Sequence, residues 1–243
     1  MWPVAPGVRR WAAGPVHACN GQPLNGNPPV SKTVPKLSTA LSECGLIAIL
    51  RGIAPAEAAA VGQVLYDAGF RIIEVPLNSP SPLDSIRILR DSLPADCLIG
   101  AGTVIDPASC QAIADAGGQV VVMPHADPVV ISAARAAGLA CAAGVATPTE
   151  AFAALAAGAE VLKMFPAESL GPPALKAWRA VLRPPLAIVP VGGIVPELIA
   201  TYVAAGASGF GLGSALYRPG DAPADVARQA QAFVAAWRAA VAS

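Results

Sequence analysis

Three observations predict a (β/α)8 barrel built as a single domain. First, from Leu46 onward, eight apolar runs (LIAIL, RIIEVPL, CLIGAG, QVVVM, LACAAG, EVLKMF, LAIVPV and SGFGLG) alternate with Ala-rich segments of helical period. Runs of this kind suit parallel strands buried on both faces. Second, an Ala-Gly pair closes a helix just before a strand at Gly69, Gly117, Gly138, Gly158 and Gly206, with spacings of 48, 21, 20 and 48. Glycine past a helix end takes the left-handed conformation without steric cost. The two longer spacings each cover two units, because strands three and seven lack the mark. A unit of about two dozen residues holds one strand, one helix and two short loops. Third, Asp106-Pro107, Asp127-Pro128 and Thr147-Pro148 each offer an N-cap followed by proline at the first helical position. A doubly wound sheet is the competing architecture, but no GxGxxG follows the first run. The last helix, roughly Ala224 to Val241, carries Phe233, Val234 and Trp237 and is expected to pack near the first helix of the ring.

Composition narrows the functions. The 243 residues are 54% hydrophobic and 13% charged, with 16 basic residues balancing 16 acidic ones. That balance gives no reason to expect a nucleic-acid partner, and no apolar run is long enough to span a bilayer as a helix. The five cysteines include no CxxC pair, so no metal site is expected. Cys97 and Cys141 lie in apolar runs and read as core thiols of a reducing, cytoplasmic compartment. Residues 1–40 stand apart: rich in Pro, Gly and Asn, basic through Arg9, Arg10, Lys32 and Lys36, and without a periodic apolar face. They are expected to form a disordered N-terminal extension, with a weak organelle-targeting segment or an upstream start as alternatives. The barrel is expected in 41–243.

The chemistry gathers where strands end, since a barrel of this type builds its site at the C-terminal ends of its strands. Lys163 is one of four lysines and interrupts the run Glu160-Val161-Leu162-Lys163-Met164-Phe165-Pro166. On a strand it shares the face of Val161, while Leu162 and Met164 take the other. Burial favours the neutral amine, a nucleophile toward carbonyls. For a lone lysine, a head that reaches water is the ordinary explanation. Arg51 ends the first strand on the face of Ile47 and Ile49, Glu74 shares a face with Ile72 and Pro76, and Thr103 ends the third strand with Ala101. One such glutamate alone would read as a salt-bridge partner; four polar residues converging on one mouth read as a catalytic site. Gly192-Gly193 after strand seven and Gly213-Ser214 after strand eight suit a phosphate held by backbone N–H groups. His125, after strand four, is expected to be an exposed loop residue.

The motifs IAILRGI, EVPLNSP, GAGTV, LKMFPAE, VGGI and GLGSALYRPG, in this order, resemble the class I aldolases that cleave 2-keto-3-deoxy-6-phosphosugar acids. The resemblance runs from about Leu46 to the last helix. It implies Lys163 as the Schiff-base lysine, Glu74 as general acid/base, Arg51 and Thr103 at the pyruvyl carboxylate, and Phe165 lining the pocket. It implies Gly192, Gly193, Gly213 and Ser214 around the 6-phosphate. It also implies pyruvate and a phosphosugar acid as ligands, a homotrimer, and no cofactor or metal. Gluconate-acting members typically carry threonine where this chain has Val191, so the galactonate epimer is the expected substrate, with the gluconate epimer or both as the alternative. Outside aldolases, a noncatalytic phosphosugar-binding barrel would keep the glycine turns but leave the buried lysine and glutamate unexplained. A phosphate-binding barrel isomerase or synthase would use acid/base chemistry without a covalent amine.

Overall fold

The computed structural model describes residues 37–242. A short helix α1 (Leu37–Glu43) precedes eight strand–helix units. These are β1 (Leu46–Ile49) and α2 (Pro55–Ala68), β2 (Ile72–Pro76) and α3 (Pro82–Ser92), β3 (Leu98–Gly102) and α4 (Ser109–Asp115), and β4 (Val120–Val122) and α5 (Pro128–Ala136). There follow β5 (Ala140–Val145) and α6 (Pro148–Ala157), β6 (Val161–Met164) and α7 (Ala167–Trp178), β7 (Ala187–Pro190) and α8 (Pro196–Ala204), and β8 (Phe210–Leu212) and α9 (Pro223–Val241). All strand pairs are parallel, in the order β7-β6-β5-β4-β3-β2-β1-β8. The sheet closes through a single bridge, Val191↔Gly211, with the Ser208 N–H donating to the Ile188 carbonyl lower on the same seam. The expected (β/α)8 barrel is what the chain forms.

Strand parity separates two cores. Outward residues such as Leu46, Ala48, Ile73, Val75, Ile99 and Leu162 pack under the ring of helices. Inward residues Ile47, Ile49, Ile72, Leu98, Val120, Val161 and Val189 fill the barrel together with Leu37, Ala40 and Leu41 of α1. Since only Cys44 and Gly45 separate α1 from β1, it stoppers the N-terminal end of the barrel. Its first four residues fall inside the segment 1–40 that the sequence sets apart, and Leu37 and Ala40 among them are buried. The rest of that expected extension lies outside the described residues.

The punctuation works as anticipated, with one shift. Gly69, Gly117, Gly138, Gly158 and Gly206 all have positive φ, from 74° to 117°. The Asp127 carboxylate accepts from the Val129 N–H, and Thr147 forms a reciprocal capping box with Glu150. Asp106, by contrast, accepts from the Ala108 N–H in a turn, and α4 starts only at Ser109. The last helix packs on α8 and on α2, as expected. Its Trp237 ring sits edge-on to Phe210 at 6.1 Å, against a backbone kept bare by Gly45. Among the described residues no helix is long and apolar enough to cross a membrane. Cys44, Cys97, Cys110 and Cys141 are buried free thiols.

Candidate active site

Glu74 and Lys163 lie on β2 and β6, four strands apart in a ring of eight, and so face each other across the interior. Glu74 follows Ile72 by two residues and Lys163 follows Val161 by two, so each takes the inward parity of a core residue. Their relative exposures are only 2% and 7%. Burial raises the Glu74 pKa from 4.5 to about 7, with Lys163 and Arg51 pulling the other way. Burial likewise pushes the Lys163 ammonium below its usual pKa; Glu74 opposes that change and Arg51 adds to it. The Lys163 Nζ stands 4.7 Å from the centroid of the Phe165 ring, which lines the same face of the strand. Glu74 Oε2 is buried without a hydrogen-bond partner. A carboxyl in that state is costly as structure and suited to exchanging a proton with a ligand.

Two glycines make room for these groups. A Cβ on Gly102 would overlap the Glu74 carboxyl, and one on Gly144, the register partner of Lys163, would collide with the backbone at Pro124 and His125. The β4–α5 loop thus folds over the strand beside the lysine. The His125 side chain is 43% exposed, with Nε2 4.0 Å from Asp127, so the loop position is as expected although its Nδ1 is buried and unpaired.

Arg51 and Thr103 complete the mouth, but Thr103 gets there by a route the sequence did not indicate. Ala101, its expected partner in parity, faces the helices, and Gly102 faces inward. Regular alternation would therefore point Thr103 outward. Instead its φ is +55°, a left-handed conformation that a β-branched residue rarely adopts, and this turn brings its hydroxyl within 3.3 Å of Arg51 Nη2. Arg51 Nη1 donates to Asn78 Oδ1 at 2.8 Å, and the Gly52 N–H donates to Ser79 Oγ at 2.9 Å. The β2–α3 loop therefore grips the turn that carries Arg51. Neither Asn78 nor Ser79 stands out in the sequence, although both lie inside the motif EVPLNSP.

Beside this polar cluster a cavity of about 450 Å³ opens over the seam. Its walls include Arg51, Val191, Gly192, Gly193, Gly213 and Ser214. Gly192 and Gly193 have φ of 108° and 65°, which turns successive N–H groups in a way that only glycine does readily. Val191 is buried on the inward face, where the absence of a side chain on Gly211 accommodates it. Two further charged residues line the cavity, Glu168 and Arg218. Both sit in the motifs LKMFPAE and GLGSALYRPG, but beyond the strand ends where parity stops guiding the eye.

A buried amine biased toward its neutral form, facing a buried acid at the mouth of a (β/α)8 barrel, can attack a carbonyl and move a proton near it. The family model described as KDPG and KHG aldolase matches residues 37–228. The chain belongs to the KDPG and KHG aldolase family. Over 194 residues it is 50% identical to the probable 2-dehydro-3-deoxy-6-phosphogalactonate aldolase of Rhizobium meliloti, covering 80% of this chain and 92% of that one. It is 48% identical over 196 residues to the 2-dehydro-3-deoxy-6-phosphogalactonate aldolase of Escherichia coli, covering 81% and 96%. A solved structure described as native KDPGal superposes with a TM-score of 0.80 at 47% identity, covering 82% of this chain and 96% of that one.

Proposed function

We propose that this chain is a class I aldolase that cleaves 2-dehydro-3-deoxy-6-phosphogalactonate to pyruvate and glyceraldehyde 3-phosphate. The observation that carries the reading is the buried Lys163 opposite the buried Glu74, in a family of aldolases. Neutral Lys163 Nζ attacks the 2-keto carbon, and loss of water gives an iminium ion. Glu74, directly or through a water, takes the proton of the 4-hydroxyl. The bond between carbons 3 and 4 then breaks, its electron pair flows into the iminium to form an enamine, and glyceraldehyde 3-phosphate leaves. Protonation of carbon 3 and hydrolysis of the imine release pyruvate and free the lysine. Arg51 and Thr103 hold the carboxylate next to the reacting ketone, and Phe165 walls the pocket. Gly192, Gly193, Gly213 and Ser214 hold the 6-phosphate.

The galactonate epimer is favoured because Val191 presents a methyl where a hydroxyl could hydrogen-bond the other configuration, and because the two relatives above carry the galactonate name. A homotrimer in the cytoplasm is the working form of this reading. Support for an assembly comes from the exposed apolar side chains Ile105, Val129 and Phe152, which follow β3, β4 and β5 on one flank. Incubation with pyruvate and borohydride should add the mass of a reduced pyruvyl group at Lys163, and a coupled pyruvate assay should favour the galactonate epimer. Absence of the adduct overturns the covalent mechanism; faster cleavage of the gluconate epimer overturns the substrate assignment.

A further inference from the structure

We infer that Arg218 is the residue that selects a phosphate monoester over a free hydroxyl at the far end of the substrate. The inference rests on reading the cavity over the seam as the phosphate subsite, and it deepens that reading with a residue and a charge. Among the described residues lining the cavity, only Arg51 and Arg218 are cationic, and Glu168 is anionic. Arg51 is already engaged: Nη1 donates to Asn78 and Nη2 to Thr103, which tilts its fork toward the reacting end of the mouth. Arg218 is held differently. Its backbone N–H donates to Asp221 Oδ2 at 2.8 Å, and its Nε donates to the Ser214 carbonyl at 3.1 Å. The stem is thereby fixed across the same loop that supplies Gly213 and Ser214, while among the described residues its two terminal nitrogens have no hydrogen-bond partner. A guanidinium anchored through Nε presents a fork that matches two phosphate oxygens, which an ammonium does not.

Glu168 makes that charge necessary. A Cβ on Gly193 would come within 2.6 Å of Glu168 Oε2 and 2.9 Å of its Cβ, so the carboxylate lies against the glycine turn. A phosphate monoester brings about −1.5 to −2 charge to this turn at neutral pH. Backbone N–H dipoles alone would face the ligand's charge and a fixed carboxylate together. One full positive charge in the wall of the same cavity offsets that repulsion, and Arg218 supplies it. An unphosphorylated keto acid has no use for it.

The test compares wild type, Arg218→Ala and Arg218→Lys on the 6-phosphorylated keto-deoxy acid and on the same acid without its phosphate. In Arg218→Ala the ratio of kcat/KM for the phosphorylated over the unphosphorylated acid should fall roughly 10- to 100-fold. The loss should appear in KM, inhibition by inorganic phosphate should weaken in parallel, and Arg218→Lys should recover part of the ratio. Borohydride trapping of pyruvate at Lys163 verifies in each variant that the mouth is intact. An equal loss on both acids, or an unmoved ratio in a wild type that does prefer the phosphorylated acid, overturns the role of Arg218. A wild type with no preference for the phosphorylated acid overturns the subsite reading itself.

Discussion

At the N-terminal end of the barrel, Ile72 and Val161 share one buried cluster with Leu37 and Leu41 of α1; two positions further along the same two strands stand Glu74 and Lys163. All six side chains are buried, none more than 7% exposed. The lower end uses exclusion from water to stabilise, each large aliphatic side chain contributing about 1.5–3 kcal/mol on burial. The upper end uses the same exclusion to bring a carboxyl and an ammonium toward neutrality. Stability and reactivity thus come from one physical cause, applied to different side chains at the two ends of a strand.

The contrast can be broken most severely at Lys163. Lys163→Arg keeps a charge but cannot form the imine, and a coupled pyruvate assay should find no turnover while circular dichroism stays unchanged. Retained cleavage would remove the lysine from the chemistry. Glu74→Gln should lose about 10²–10⁴-fold in kcat while the pyruvate imine at Lys163 is still trapped by borohydride, because proton transfer and attachment are separate tasks.

At the other end the expected loss is of stability. Leu41→Ala, which opens the stopper, should cost about 2–5 kcal/mol in denaturant unfolding with kcat/KM preserved at low temperature. A fall in kcat/KM without a fall in stability would mean that the two ends are not independent.

The pH dependence sharpens the comparison further. The Glu74 pKa is raised on folding, so its stabilising contribution is complete below about 4.5 and is lost as pH climbs through about 7. Relative to Glu74→Gln, wild type should therefore weaken by roughly 3 kcal/mol between pH 4.5 and pH 8, read from paired urea titrations. A constant difference would place the Glu74 carboxyl in water. The smallest effect is expected at Val191. Val191→Thr gains at most one hydrogen bond, about 0.5–1.5 kcal/mol, so the epimer ratio should move toward gluconate by roughly tenfold or less. An unmoved ratio removes Val191 as the discriminator.

Regular strands made much of this legible from the sequence. Ile-Ile-Glu and Val-Leu-Lys announce an inward polar residue because alternation is maintained through β2 and β6. The same reasoning brought Thr103 to the mouth for the wrong reason, since a left-handed turn after Gly102, and not alternation, carries it to Arg51. Asn78, Ser79 and Arg218 lie in loops, and Glu168 sits in the first turn of α7 just past a strand end, where no strand period links sequence position to direction in space. The α1 stopper was hidden for a related reason: Leu37-Ser-Thr-Ala-Leu is too short to display a periodic face, and it follows a stretch with none.

The seam between β7 and β8 has a mechanical consequence. A ladder of hydrogen bonds joins every other pair of neighbouring strands, but here the sheet is tacked at Val191↔Gly211 and at Ser208, and the cavity straddles the gap. A ligand that touches both Gly193 and Ser214 would span the joint like a splint. Occupancy would then stiffen the hoop itself, and the amides of Phe210–Leu212 should exchange with solvent more slowly when inorganic phosphate is present.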